Sequence, residues 1–328
     1  MRAKPVIAIA MGDPAGIGPE LIVKALGDPA IFESCRPVII GDIDVMRANA
    51  THLDASLRAS AIDDLSAALF QPGTVDVLNP PGFKLGKLPP PQVHPKLGEA
   101  AARYLALAYE LALASRVDGV VMAPMNKESF RAAGYETFDE LQFLGEITDS
   151  AEPFILGAAG PVWAVAVTEH IPFKDIVNGL TVERIHRAIT DLHVVLLKLG
   201  YASPRIACAA LNPHAGEGGL FGSEEIDIIA PAIAEAQAQA IGVDGPVPAD
   251  IVFKRALDGD FDGVVCMYHD QMNIVRKLQP RADIATLWMG LPVIGATTAH
   301  GTAFDIAGKG IADPGSLRAA LDYVIRLA

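Results

Sequence analysis

The stretch Leu211–Glu225, LNPHAGEGGLFGSEE, constrains the fold more than any other. It follows a short apolar run, Ile206 to Leu211, and leads into an Ala-rich segment compatible with a helix. A buried strand feeding a glycine-dense loop and then a helix is the layout in which α/β proteins carry chemistry at strand ends. Gly216, Gly218, Gly219 and Gly222 let the backbone turn tightly about a ligand, and the loop also carries His214 and Glu217. Taken alone, a loop histidine such as His214 is more often a surface residue than a ligand.

Two further histidines share this setting. His170 follows the apolar run Val162 to Val167 in VTEHIP, and His269 follows Val264 to Met267 in MYHDQ. Parallel strands bring their C-terminal ends to one rim, so the three imidazoles are candidates for one metal site. Neutral imidazole suits zinc and other transition metals, and three protein ligands leave a position open for substrate. Three unrelated loop histidines would give the same spacing.

The rest of the chain repeats the alternation. Val6 to Met11 reads as a buried strand running into Gly12-Asp13-Pro14-Ala15-Gly16-Ile17-Gly18-Pro19-Glu20, with Pro19 suited to a first helical turn. The third glycine of the dinucleotide fingerprint is missing, yet backbone N–H groups at a helix start still offer an anion site. A plain strand-to-helix turn explains the loop equally well. Pro37 to Gly41 is a second strand, followed by a helix to about Asn49, and residues 71–96, rich in Pro and Gly, read as an irregular excursion. Lys96 to Ser115 is a long helix, with Ala101, Tyr104, Leu105, Ala108 and Ala112 at helical spacing.

Gly119 to Ala123 is a strand ending in Pro124-Met125-Asn126-Lys127. Lys127 there binds a carboxylate, moves a proton, or is a solvated helix start. Helices are expected over Thr181–Leu199, Glu224–Ala240 and Leu317–Leu327. Gly245 to Asp250 is a turn opening another, where Asp250 is also ordinary first-turn chemistry. The pattern implies α/β layers around a largely parallel sheet.

At 328 residues, 51% hydrophobic and 20% charged, the chain has room for two domains and is too apolar for wholesale disorder. A formal net charge of −13 argues against nucleic acid or an anionic membrane as partner, since both reward clustered Lys and Arg. A small anionic substrate stays open, because a pocket can be locally basic. Cys35, Cys208 and Cys266 are too scattered for a disulfide framework or a cysteine zinc site. No apolar stretch reaches the roughly 18 residues of a membrane helix, and no signal-like leader is seen, so a cytoplasmic protein is expected.

Four stretches together resemble the 4-hydroxythreonine-4-phosphate dehydrogenase family: MGDPAGIGPE (11–20), NPHAGEGGLFGSEE (212–225), YHDQ (268–271) and HGTAFDIAGKG (300–310). They occur in the family's order across almost the whole chain, and the first and last also resemble isocitrate and isopropylmalate dehydrogenases. The resemblance implies two α/β/α domains flanking a cleft. Residues 1–127 plus 275–328 would form the cofactor-side domain, and 128–274 the metal, substrate and dimerisation domain. It implies a homodimer with shared active sites, NAD or NADP as cofactor, and a divalent metal (zinc, magnesium, manganese or cobalt) on His170, His214 and His269.

On the cofactor side, the resemblance points to Gly12, Asp13 and Gly18 together with His300, Gly301, Thr302, Ala303, Asp305 and Gly308. Lys127, Asp250 and Asp270 match the catalytic positions, and Lys277 approaches the substrate. The implied activity is a metal-dependent, NAD(P)-linked oxidative decarboxylation of a small hydroxy acid. A base removes the hydroxyl proton as hydride leaves, and the resulting β-keto acid loses carbon dioxide.

Four substrate-facing positions depart from the family pattern. Glu140 and Leu141 stand where His and Thr are usual, Thr286 where Asn is usual, and Gly295 where an Arg would contact phosphate. Ala299 likewise replaces an Asp before the His-Gly-Thr motif. Losing the Arg removes a bidentate phosphate partner, and Glu140 would repel a dianion unless a cation such as Arg276 intervened. The metal and cofactor residues are kept while the phosphate end is altered. The alternative substrate is therefore an unphosphorylated cis-diol carboxylate, as in relatives resembling terephthalate cis-dihydrodiol dehydrogenase. A non-catalytic ligand-binding homologue is the alternative of another class. A hydrolase would need a nucleophile elbow that the chain lacks.

Overall fold

The computed structural model describes residues 3–136 and 139–328. In chain order the strands are β1 (Val6–Ala10), β2 (Arg36–Ile40), β3 (Arg58–Ile62), β4 (Thr74–Leu78), β5 (Gly119–Met122) and β6 (Phe154–Ala159). They continue as β7 (Val162–Thr168), β8 (Ile206–Ala209), β9 (Val243–Val247), β10 (Gly263–Tyr268), β11 (Thr286–Met289) and β12 (Gly295–Thr297). The chain divides into two compact units. The first is Met1–Phe154 with Ala285–Ala328, and the second is Ile155–Ile284.

In the first unit the strand order is β3-β4-β2-β1-β5-β12-β11. Neighbours are parallel except β11 and β12, where Leu287 faces Ala296 in an antiparallel pair. β1 is VIAIA with every residue buried, the continuous apolar run that a strand covered on both faces requires. Helix Pro95–Leu113 begins with proline in its first turn, where no N–H is lost, and His94 Nδ1 accepts from Lys96 N at 3.1 Å. Its Gly98 lies against the Ser129 carbonyl so closely that any Cβ would collide with it. This contact seats the helix on the turn that carries Lys127.

The second unit has the order β6-β7-β10-β8-β9, parallel apart from β6 with β7. Helix Val182–Lys198 buries Ile185, Ile189, Leu192 and Leu196, an i, i+4, i+7, i+11 stripe. Leu192 and Leu196 lie over Gly263 at the start of β10. On the other side Val252, Phe253 and Ala256 of helix Ala249–Leu257 pack with Ala164, Ala207, Val264 and Cys266. All three cysteines are buried free thiols. No helix among the described residues is long and apolar enough to cross a membrane.

Three elements differ from the sequence reading. Gly245 to Val247, read as part of a turn, belong to β9, where Gly245-Pro246 breaks the apolar run. The irregular excursion at 71–96 contains β4, whose apolar run is interrupted by Asp76. That side chain is buried, and its Oδ2 accepts from Leu69 N and Phe70 N, both at 2.9 Å. A carboxylate that folds the preceding loop onto the strand hides the strand's periodicity. The helix expected over 224–240 opens with a π-helical turn, Glu225–Ile229, before α-helix Ala230–Ala238.

Candidate functional site

β7, β10 and β8 are adjacent and parallel, so their C-terminal ends share one rim of the second unit. His170 follows β7, His269 follows β10, and His214 follows β8. Two side chains staple these ends together. Thr168 Oγ1 donates to Met267 O at 2.9 Å, and Gln271 accepts from Met267 N at 2.7 Å while donating to Ala210 O at 2.9 Å.

The rings of His170 and His269 lie 5.4 Å apart between centroids. Ligand atoms of Glu169, His170 and His269 all fall within 4.8 Å of one another. His214 reaches the same rim, but its ring is not in that group. It lies exposed in the loop after β8, where residues 214 to 218 all adopt left-handed backbone, with φ of 52°, 56°, 77°, 46° and 66°. Three of these are non-glycine residues, each in a region that L-residues seldom enter.

Residues outside the histidines hold this rim. Asp270 Oδ1 lies 2.7 Å from His269 Nδ1. A proton on Nδ1 donated to that carboxylate leaves Nε2 with its lone pair, the usual arrangement behind a metal-bound imidazole. Glu225, buried in the π-helical turn, accepts at Oε1 from Leu211 N (2.9 Å) and Asn212 N (2.7 Å), and at Oε2 from Asn212 Nδ2 (2.9 Å). Burial would raise its pKa, but the backbone and side-chain bonds from Asn212 and the bond from Leu211 outweigh it and hold the carboxyl below its ordinary value. Sequence reasoning missed Glu225; its only signal was a repeated acid, Glu224-Glu225, closing the glycine-dense loop. Asp250 is exposed in the first turn of helix Ala249–Leu257, and Lys277 is exposed in the last turn of helix His269–Leu278.

Arg276 does not reach out as a compensating cation. It is buried, with Nε donating to Ala158 O (3.2 Å) and Nη1 to Asn273 Oδ1 (2.8 Å). Burial pushes its pKa down to about 10, against the opposing pull of the Glu169 charge.

In the first unit the loops after β1 and β12 meet. Ile17 N donates to Thr302 O at 3.0 Å, and Asp13 N to Pro124 O at 2.9 Å. Gly12 sits at φ +70° with the carbonyls of Ala123 and Pro124 where a Cβ would be. The 12–18 segment and Thr302 are buried, His300 is half-buried, Gly301, Asp305 and Gly308 are exposed, and Ala303 has φ +43°. Asp13 is 1% exposed. Its Oδ1 accepts from Ala15 N at 2.9 Å while Oδ2 is buried without a hydrogen bond. Burial raises its pKa to about 6 despite the bonds to Ala15 and Gly16.

Beneath both loops lies a pair that sequence reasoning overlooked. Glu20 is buried and accepts from Ala312 N (2.7 Å) and Gly310 N (3.2 Å). Lys24 lies 2.8 Å from Glu20 and donates to the carbonyls of Gly310 (2.9 Å) and Ala312 (2.7 Å).

Lys127 opens helix Lys127–Ala132, whose cap is Asn126, accepting from Ser129 N at 2.8 Å. A cation at a helix N-terminus opposes the helix dipole, which a residue kept only for stability would avoid. Its Nζ lies 3.9 Å from Glu140 Oε2; Glu140 begins helix Glu140–Ile147, and the half-buried Leu141 follows it. Thr286 starts β11. Gly295 is buried in β12, where the Tyr109 hydroxyl and Trp288 fill the space a Cβ would need.

The donor set fits a divalent cation. Two imidazoles and a carboxylate converge, and one imidazole already has its outer carboxylate partner. The first unit offers backbone N–H groups at the start of helix Gly18–Leu26, suited to an anionic cofactor.

Comparison with known proteins agrees with this layout. The D-threonate 4-phosphate dehydrogenase of Cupriavidus necator is 40% identical over 99% of this chain and 97% of its own. The crystal structure of a 4-hydroxythreonine-4-phosphate dehydrogenase from Klebsiella pneumoniae superposes with a TM-score of 0.88 at 35% identity, covering 99% of this chain and 98% of that one. A terephthalate 1,2-cis-dihydrodiol dehydrogenase from Burkholderia xenovorans gives 0.66 at 30% identity over 98% of both chains. An isocitrate dehydrogenase from Methylococcus capsulatus, 12% identical with a TM-score of 0.50, shares the fold alone. The family model described as pyridoxal phosphate biosynthetic protein PdxA matches residues 33–324, and the chain belongs to that family.

Proposed function

We propose that the protein is a metal-dependent, NAD(P)-linked dehydrogenase that oxidises and decarboxylates a small hydroxy acid of the 4-hydroxythreonine 4-phosphate or threonate 4-phosphate type. The observation that carries the reading is the convergence of His170 and His269 with a carboxylate at the ends of β7 and β10, in a chain whose relatives are named as dehydrogenases. A bound divalent cation would lower the pKa of the substrate hydroxyl and draw electron density from the oxidised carbon as carbon dioxide leaves, while a nicotinamide would supply the hydride acceptor.

The chain's own residues do the rest. His170 and His269 hold the cation, with His214 as the third histidine, and Asp270 fixes the His269 ring through Nδ1. Lys127 takes the hydroxyl proton at Nζ, and Asp250 is the second candidate for that step. The loops 12–18 and 300–308 bind the cofactor. Lys277, Thr286, Glu140 and Leu141 face the substrate. A homodimer with shared sites belongs to the same proposal, supported by exposed apolar side chains on the second unit, among them Phe173, Ile274 and Leu278.

Two observations favour a second substrate, an unphosphorylated diol carboxylate. Glu140 places a carboxylate beside Lys127, and Gly295 is closed to any side chain that could bind phosphate. Reduction of NAD or NADP with a defined metal, comparing the 4-phosphates with unphosphorylated diol acids and with a chelator control, tests both. Turnover of phosphate esters alone supports the first substrate, and turnover of diol acids alone the second. Undiminished turnover in the chelator would remove the metal from the reaction. With Lys127→Ala, kcat should fall by roughly 10² to 10⁴.

A further inference from the structure

Glu169 follows directly on β7, which ends at Thr168, and consecutive strand residues ordinarily point to opposite faces. Here the strand has just ended. Ile171 N donates back to Glu169 O at 2.7 Å, a three-residue turn that lets neighbouring side chains meet at one place. The result is the grouping described above, with Glu169 carboxylate, His170 and His269 ligand atoms within 4.8 Å of one another. Three ligands at about 2.1 Å from one cation lie about 3.4–3.6 Å apart when evenly spread, so side-chain shifts of about 1 Å close the set on an ion.

A cation and a second carboxylate flank this set. The Glu169 charge acts on Arg276, whose guanidinium is fixed by Ala158 O and Asn273 Oδ1. Asp270 holds the far nitrogen of His269. Metal-binding carboxylates and imidazoles are commonly oriented by such outer partners.

We propose that Glu169 is itself a ligand of the divalent cation, so that His170, His269 and Glu169 form a two-imidazole, one-carboxylate set; this rests on the reading that the rim holds a metal. The carboxylate adds a hard, anionic oxygen to two nitrogens. It lowers the net charge of the bound ion and widens acceptance from zinc toward manganese and magnesium. His214 then adds a donor from its exposed loop to a set that does not depend on it alone.

The test uses the full-length, metal-stripped protein titrated with Co²⁺, Mn²⁺ and Zn²⁺, following binding by calorimetry and the visible Co²⁺ spectrum. Glu169→Gln should weaken binding by more than about 100-fold, beyond the range for outer-shell residues, and Glu169→Asp should recover part of it. The Co²⁺ bands should shift in Glu169→Gln, and the loss should be larger for Mn²⁺ than for Zn²⁺. Affinity within about threefold of wild type with an unchanged spectrum overturns the assignment. So does a lowered thermal midpoint of the stripped protein with unchanged Co²⁺ binding, which leaves Glu169 as a partner of Arg276 only. His170→Ala and His269→Ala separate the two readings. Loss of binding in these, but not in Glu169→Gln, sinks the Glu169 assignment alone; unaffected binding in all three sinks the metal rim with it.

Discussion

The chain's two glycine-dense working loops are held in opposite ways. In the first unit, the segment ending at Ala312 is braced from inside by Glu20 and Lys24, which together satisfy two N–H groups and two carbonyls of Gly310 and Ala312. In the second unit, Glu225 grips only the foot of the loop, at Leu211 and Asn212, and the tip carrying His214 is exposed and left-handed. A braced loop presents a preformed surface to a ligand. A latched loop fixes where the chain leaves the strand and lets contacts at the tip complete its shape.

Breaking the brace should cost most. Glu20→Ala removes the charge partner of Lys24 and leaves the N–H groups of Gly310 and Ala312 unpaired, with an expected loss of about 3–5 kcal/mol in denaturant unfolding and weaker cofactor binding. A smaller loss with unchanged cofactor affinity would mean that the 310–312 segment is held by something other than the pair.

Asp13 sharpens the picture of the braced side through pH. Its folded pKa, about 6, lies above the ordinary 3.8, so the folded state binds the proton more tightly. This penalty is absent below about pH 4, grows as pH rises, and is complete above about pH 6. It amounts to about 3 kcal/mol at most. Asp13→Asn should therefore flatten the stability profile between pH 4 and 7. Parallel profiles for the two proteins would refute the assignment.

Cutting the latch is a smaller change. Glu225→Ala should cost about 2 kcal/mol. Hydrogen exchange should quicken at Leu211 and Asn212 but not at Gly310 or Ala312. The depressed pKa of Glu225 means that its contribution is present above its ordinary value and is lost as pH falls through the folded one. Equal acceleration at both loops would erase the distinction between them.

Glu140→Gln sets the floor. The 3.9 Å contact with half-exposed Lys127 should contribute no more than about 0.5 kcal/mol to stability. The variant's readout is substrate preference, which should move toward anionic substrates if Glu140 faces them.

Much of this was legible in the sequence where burial is complete. β1, β5 and β10 are unbroken apolar runs because both faces of each strand are covered, and the loops after them stood out by contrast. β3, β9 and β12 were not legible. β3 and β9 are edge strands, β9 contains Gly245-Pro246, and β12 is three residues of Gly, Ala and Thr. In the site, His170 and His269 could be found because they follow such runs. Glu169 drew no attention because an acid beside a histidine is ordinary on a protein surface, and only its proximity to His269, which follows another strand, sets it apart. Glu20 and Lys24 have the i, i+4 spacing of any exposed helical pair. Their one signal was the apolar Leu21 and Ile22 beside Glu20, in a helix buried almost throughout.

The crowding over Gly295 also bears on mutational history. With the Tyr109 hydroxyl and Trp288 lying where a side chain would begin, any arginine gained there has to displace both. Gly295→Arg alone should cost at least about 1–3 kcal/mol through overpacking. A smaller residue at position 109 would relieve the Tyr109 contact but not that of Trp288, so tolerance of a side chain at 295 is decided by its neighbours as much as by the position itself.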